Sequence, residues 1–132
     1  MTVYHRMVDH VLDELTAQLE ELLETKDIDA LEAGRGGSAS DWDVEYAVRD
    51  VCSPQSGVLN LRLGSYGTYV LNKQPPTKQI WLSSPSSGPK RFDYDGAQQR
   101  WFTIKDDNLF YLDELLTEEL SAVFQTTLDL AL

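Results

Sequence analysis

The sequence predicts an α+β fold of two layers, an antiparallel sheet with an N-terminal and a C-terminal helix packed on one of its faces. Apolar residues recur at the 3.6-residue helical period near both ends, and short stretches rich in β-branched and aromatic residues, broken by Gly and Pro, fill the middle. Each predicted helix has one apolar side, so both must be covered, and a single sheet face can cover both. With 132 residues and 42% hydrophobic content, one domain over 1–132 can hold its core without metal or disulfide staples.

The first helix is predicted over 4–24, from Tyr4, Val8, Val11, Leu12, Leu15, Leu19, Leu22 and Leu23. Residues 27–40 carry Gly34, Gly36, Gly37, Ser38 and Ser40 without apolar periodicity and read as a long, mobile loop. About six strands follow between 43 and 105, at 43–51, 58–63, 68–72, 79–83, 91–94 and 101–105, with breaks at Pro54, Gly64, Pro75–Pro76, Gly88–Pro89 and Gly96. That spacing is a meander. Leu112, Leu115, Leu116, Leu120, Val123 and Phe124 restore the helical period over 112–127, with Asp113 and Glu114 where the helix dipole favours anions. The tail 128–132 alternates Leu with Asp and Ala and reads as extended with one apolar face.

The formal charge is −11, and it is uneven: residues 1–50 carry −9, whereas 72–105 form a locally basic stretch of +4. Such an acidic chain repels phosphate, so nucleic acid is not an expected partner. No apolar run reaches the roughly 18 to 20 residues that a membrane helix needs, and no membrane role is expected. The single Cys52, in a turn near Pro54 with no His beside it in sequence, rules out an intramolecular disulfide and any multi-cysteine metal site. A catalytic role for its thiol is not expected.

The first helix carries its own chemistry. At about 100° per residue, Asp9, Asp13, Glu20, Glu24 and His5 share one stripe bordering the apolar side. Asp9/Asp13 and Glu20/Glu24 are like-charge pairs at i,i+4, which cost a few tenths of a kcal/mol each. Asp41 and Asp43, two apart, are expected to extend the stripe into a ridge from the first strand, with Glu45 following. Carboxylates so spaced can give a hard cation one or two oxygens each, with water completing the shell, which describes weak iron, manganese or calcium sites. Spacing alone equally describes a solvated helix face that serves solubility. His5 and His10, five apart, do not share a face and are read as surface histidines.

A second stretch stands out in residues 72–91. Asn72, Gln74, Gln79 and Trp81, on or near one exposed sheet face, would make an amide-and-aromatic patch next to a loop opening on Lys90 and Arg91. Trp and Arg are over-represented at interface hot spots. The competing reading is a core Trp between ordinary turns.

The run G-T-Y-V-L-N-K-Q-P-P-T-K-Q-I-W-L-S-S-P-S-S-G-P-K-R over 67–91 resembles the signature of the frataxin family in its eukaryotic mitochondrial form. The resemblance continues through the acidic first helix, W-D-V-E at 42–45, G-V-L-N-L-R-L at 57–63 and L-x-x-L-L-T-E-E-L at 112–120, and so covers nearly the whole chain. It implies an α-β sandwich, exchangeable Fe²⁺/Fe³⁺ on an acidic ridge, and work in the mitochondrial matrix with the cysteine desulfurase and scaffold protein of iron–sulfur cluster assembly. It also implies ferroxidase activity or iron donation, and a monomer that can oligomerise with iron. By the same resemblance the metal residues are Asp9, Asp13, Glu20, Glu21, Glu24, Asp41 and Asp43, and the partner-binding residues are Asn72, Lys73, Gln74, Gln79, Trp81, Lys90 and Arg91. His5, His10 and Ala17 stand where relatives carry acids, which thins the ridge. The loops at 27–40 and 52–56 exceed the family's usual length, and a transit peptide is expected to have been removed. The alternative function is a regulator of the same assembly for which iron binding is incidental.

Overall fold

The computed structural model describes residues 3–47, 57–128 and 130. Helix α1 runs Val3–Thr25, a short α2 Ile28–Leu31, and α3 Leu112–Phe124. Between them lie β1 (Trp42–Ala47), β2 (Val58–Leu63), β3 (Thr68–Gln74), β4 (Gln79–Ser84), β5 (Gly88–Asp95), β6 (Arg100–Lys105) and β7 (Asn108–Tyr111). All neighbours pair antiparallel in sequence order, as a meander requires.

Seven strands form where six were expected. β7 is short, and the two-residue turn before it is made by Asp106 and Asp107, both at positive φ (54° and 63°). This backbone is the hairpin turn that Asn-Gly or Asp-Gly usually announces. An Asp-Asp pair gives a weaker signal, so the strand merges in sequence with the helix that follows.

Alternation sorts the sheet into two faces. Leu59, Leu61, Tyr69, Leu71, Ile80, Leu82, Phe92 and Trp101 are buried on the helix side, against Val8, Val11, Leu12, Leu15 and Leu19 of α1 and Leu112, Leu116, Leu120 and Phe124 of α3. Each such side chain contributes roughly 1.5–3 kcal/mol by leaving water. The buried set of α1 is the apolar stripe that the helical period predicts.

Residues 27–40 are tied down where a mobile loop was expected. Asp27 caps α2 by accepting from the Ala30 N–H at 3.2 Å, and Ile28 and Leu31 enter the core. Glu32 is buried and accepts from the hydroxyl and the backbone N–H of Ser65, just after β2. The Ser65 hydroxyl holds the Glu32 carboxyl below its usual range, against the opposing effect of burial. Gly64 has φ +53°, and a Cβ there would lie 2.5 Å from the Trp42 indole nitrogen and 2.8 Å from the Glu32 carboxylate. Arg35 donates to Ser65 Oγ at 2.9 Å and stacks 3.8 Å over the Tyr66 ring, whose hydroxyl donates to the Leu31 carbonyl.

α3 stops at Phe124 because Gln125 turns left-handed (φ 55°), with its N–H on the Ser121 carbonyl. Of the tail, residues 128 and 130 are described, and both are tied to α3: Leu128 N–H donates to Ser121 Oγ, Leu130 N–H to Thr117 Oγ1, and Leu130 is buried. Cys52 and the turn around it, residues 52–56, lie outside the described residues, as does the side chain of His5.

Candidate functional site

α1 presents Asp13, Glu20, Glu21 and Glu24 to solvent. Asp9 is different. It sits half-buried and accepts at 2.8 Å from the ammonium of Lys73, whose side chain is 1% exposed. Residue 73 alternates with Asn72 and Gln74, so it points at the helices, and its position on the partner-binding face is corrected: Lys73 is a core cation with Asp9 as counter-ion. Opposite signs follow for two substitutions on one helix. Asp9→Asn is expected to destabilise by about 1–3 kcal/mol, since it weakens a charge-assisted bond to a buried group. Glu24→Gln is expected to stabilise by a few tenths of a kcal/mol, by relieving repulsion from Glu20. Urea midpoints of the two variants test the pair, and a loss of stability in Glu24→Gln would show that acid to be structural.

The acids at the sheet edge are also engaged. Asp41 lies in a 3-10 turn (Ala39–Asp41) before β1, where its carboxylate accepts from the N–H and hydroxyl of Ser38. It is therefore not in strand alternation with Asp43. Asp43 faces Arg62 across the β1–β2 ladder and takes two hydrogen bonds from its guanidinium, at 3.0 and 3.1 Å. Asp41, Asp43 and Arg62 border a common shallow cleft. Tyr46 on β1 has its hydroxyl pushed up to about 12, by burial first and then by the charges of Asp9 and Asp13. Among the described residues, no three acidic, histidine or cysteine side chains converge on one point. The ridge therefore offers carboxylates in ones and twos.

Tyr69 on β3 is likewise pushed up to about 12, by burial first and then by the hydrogen bond to Glu119. Both phenols keep their protons in the folded state above about pH 10, where an unfolded Tyr loses its own. The unfolded state then binds fewer protons, so stability is expected to fall between about pH 10 and 12. Urea midpoints at either end of that window check this, and the Tyr46→Phe/Tyr69→Phe variant should show a flatter decline.

The open sheet face holds the second cluster. Asn72 pairs with Trp81, Trp81 with Arg91, and Gln74 with Gln79, so these five form a patch across β3, β4 and β5. The indole N–H of Trp81 donates to Gln79 Oε1 at 3.1 Å, and Gln79 Nε2 donates to Asp93 Oδ1 at 3.1 Å. Arg91 covers the indole at 4.6 Å from its ring centroid. The competing reading of Trp81 as a core residue is thereby overturned: the indole is half-buried, on the face away from the helices. Lys90, in contrast, is buried on the helix side and donates to the Ser87 carbonyl at 2.9 Å, so its expected place on this face is also corrected. Burial, with Lys105 nearby, holds its ammonium below the usual range.

Two residues escaped the sequence reading. Asp93 anchors Gln79, and counting two residues on from Arg91 along the strand would have found it. Glu119 accepts from Tyr69, Ser84 and Ser87 at 2.8, 2.6 and 2.7 Å under α3. Nothing in its spacing marks it among the other helix acids.

The family model for the frataxin-like domain matches residues 1–126. The chain belongs to the frataxin family. Similar curated frataxins include the mitochondrial homolog of Schizosaccharomyces pombe, 40% identical over 126 residues, covering 96% of this chain and 66% of the relative. The mitochondrial frataxin homolog of Saccharomyces cerevisiae is 40% identical over 116 residues, covering 88% of this chain and 53% of the relative. The crystal structure of trimeric frataxin from S. cerevisiae complexed with ferrous iron is 37% identical, covers 91% of this chain and 87% of that chain, and superimposes with a TM-score of 0.64. The chain spans between about a third and two thirds of the length of such curated frataxins, 34% of the Dictyostelium discoideum protein and 66% of the S. pombe one.

Proposed function

We propose that this frataxin-family protein works in iron–sulfur cluster assembly in the mitochondrial matrix, carrying Fe²⁺ on its acidic ridge and docking on the cysteine desulfurase–scaffold complex through the open sheet face. The observation that carries the reading is the placement of Trp81. A large indole held by Gln79 and Arg91 on the face opposite the helices is a poor choice for solubility and a good one for an anchor buried only in a complex. The ridge lies on the helix layer and the sheet edge, so iron and partner can be held together. Iron is cargo here.

Asp13, Glu20, Glu21 and Glu24 are the exposed carboxylates that can take it. Each ion then receives one or two carboxylates and completes its shell with water, so Fe²⁺ is held at about micromolar affinity or weaker and chelators remove it. Oxygen-rich ligands favour the harder Fe³⁺, which lowers the potential of the bound ion and lets dioxygen take its electron, the ferroxidase chemistry that the family resemblance implies. The chain is proposed to be a monomer that associates further with iron.

A second reading has its own support. Asp9 and Asp43 already neutralise Lys73 and Arg62, which leaves fewer acids for metal and favours a regulator that speeds sulfur transfer by shifting a conformational equilibrium of the complex. An anaerobic Fe²⁺ titration followed by amide NMR tests the iron site, with broadening expected along residues 13–24. Broadening centred on Trp81, or a single nanomolar site, would overturn it. Reconstituted cluster assembly with ridge and sheet-face variants side by side separates the readings: loss only in the sheet-face variants favours the regulator.

A further inference from the structure

β7 is the last strand of the sheet, so its outer edge has no neighbouring strand. The two-residue turn before it closes on the pair Lys105↔Asn108, and ladder alternation then turns the N–H and C=O of Leu109, and the N–H of Tyr111, away from β6. The Tyr111 carbonyl is taken by α3, whose N-cap it is. At the opposite edge β1 carries Asp43 and Glu45, the kind of charge with which an edge deters pairing, whereas Asn108-Leu109-Phe110-Tyr111 has neither charge nor Pro. Among the described residues, the exposed large hydrophobic side chains are Ile104 (66% exposed), Leu109 (54%) and Phe110 (36%), all in this hairpin. Leu109 lies on the open face with its ladder partner Ile104, and Phe110 on the helix face with Thr103. A flat surface covers one of these faces; a strand added to the edge covers both.

The helix face of the edge opens into a cleft of about 400 Å³ between β7 and α3. Its lining includes Asp106, Glu114, Glu118 and Glu119 against Lys90 and Lys105. Arg100 neutralises Glu114 at 3.0 Å. Asp106, Glu118 and Glu119, with exposed Asp107 in the adjoining turn, still outnumber the two lysines. A second copy of the chain would meet this edge with the same excess of acid.

We propose that the β7 edge accepts an extended segment of another protein as an eighth strand, with apolar side chains on both faces and Lys or Arg on the face turned to α3. The backbone of the segment pairs with Leu109 and Tyr111 and supplies affinity, while alternate side chains supply specificity. At about 4.8 Å beyond β7, its apolar residues cover Leu109 and Phe110. Its cations meet Glu118 and the Asp106–Asp107 turn, which repel an acidic segment. This surface is separate from the Trp81 patch, so either can fail without the other.

The probe is a capped heptapeptide, Thr-Lys-Val-Ile-Val-Lys-Thr, which places Lys, Ile and Lys on one face, titrated into the labelled protein beside the same peptide with Glu for both Lys. The Lys peptide is expected to shift the Leu109, Phe110 and Tyr111 amides and to slow hydrogen exchange at Leu109 and Tyr111, and the Glu peptide to bind at least about tenfold more weakly. Leu109→Pro removes an outward donor while leaving the bonds to β6 in place, and is expected to abolish binding as read at Tyr111. If that variant does not fold, Phe110→Ser and Glu118→Lys, both at exposed positions, decide the matter, each expected to weaken the Lys peptide at least about threefold. Trp81→Ala should bind it as wild type does. Equal binding of the two peptides, undiminished binding by Leu109→Pro, or shifts centred on Trp81 would overturn the proposal. Self-association of the wild type that Leu109→Pro abolishes would make the occupant a second copy and also overturn it.

Discussion

Trp81→Ala is expected to weaken binding to the cysteine desulfurase–scaffold complex at least roughly thirtyfold while the domain stays folded. A buried hot-spot aromatic costs about 2 kcal/mol or more when truncated, and each 1.4 kcal/mol is about tenfold in affinity. The geometry points to the upper part of that range. The ring is already clamped by Arg91 on its face and by Gln79, itself held by Asp93, at its N–H, so docking need not order it. The fold survives because the indole lies outside the helix–sheet core. Arg91→Lys is expected to lose much of the same affinity, since an ammonium neither stacks as a guanidinium does nor offers two parallel donors to a partner carboxylate. Binding and sulfur-transfer stimulation by wild type and both variants at one ionic strength check this. Wild-type affinity in Trp81→Ala would remove the sheet face as the docking surface, and Fe²⁺ binding at the ridge should be unaffected in every case.

The layers, the meander and the stripe of α1 were legible because hydrophobic periodicity is a local signal. The residues that misled are those whose role is set by contacts distant in sequence. Lys73 and Lys90 look like surface cations beside Asn72 and Arg91, yet strand alternation sends each to the face opposite its neighbour, where Asp9 and the Ser87 carbonyl receive it. Alternation alone would have separated them. Nothing local reveals Glu32, because the groups that hold it, Ser65 and the space left by Gly64, lie some thirty residues away. The Gly- and Ser-rich run 34–40 has the composition of a flexible loop, and what orders the segment is one buried carboxylate and the stacking of Arg35 on Tyr66. β7 was missed for a different reason, a turn that adopts the favoured backbone without its favoured residues.

Glu119→Ala is expected to destabilise the fold by about 3 kcal/mol, the loss of hydrogen bonds to a charged acceptor beneath α3, with donors left in a partly buried site. The carboxylate is the hub of the turn between β4 and β5. Its Oε1 accepts from Tyr69 and Ser84, its Oε2 from Ser87, and Ser84 Oγ in turn accepts from the N–H groups of Ser86 and Ser87 at 3.0 and 3.1 Å. The Ser87 carbonyl receives Lys90, so one side chain of α3 organises the run from Ser84 to Lys90. That run sets the register Ser84↔Gly88, and with it the pairing of Trp81 with Arg91. Function is therefore coupled to this network: the variant should also bind the complex more weakly, with the Trp81 indole resonance shifted although residue 119 lies on the other side of the sheet. Glu119→Gln, which keeps an acceptor oxygen and lets the hydroxyls rotate, should lose about half as much stability. Tyr69→Phe alone should cost about 1 kcal/mol, and combined with Glu119→Ala it should add little, since their shared bond is already gone. Urea unfolding of the three variants and the double variant decides the matter. Additive losses, or a Glu119→Ala protein within about 0.5 kcal/mol of wild type, which is the range of an ordinary surface change, would show that the turn holds its shape without the carboxylate.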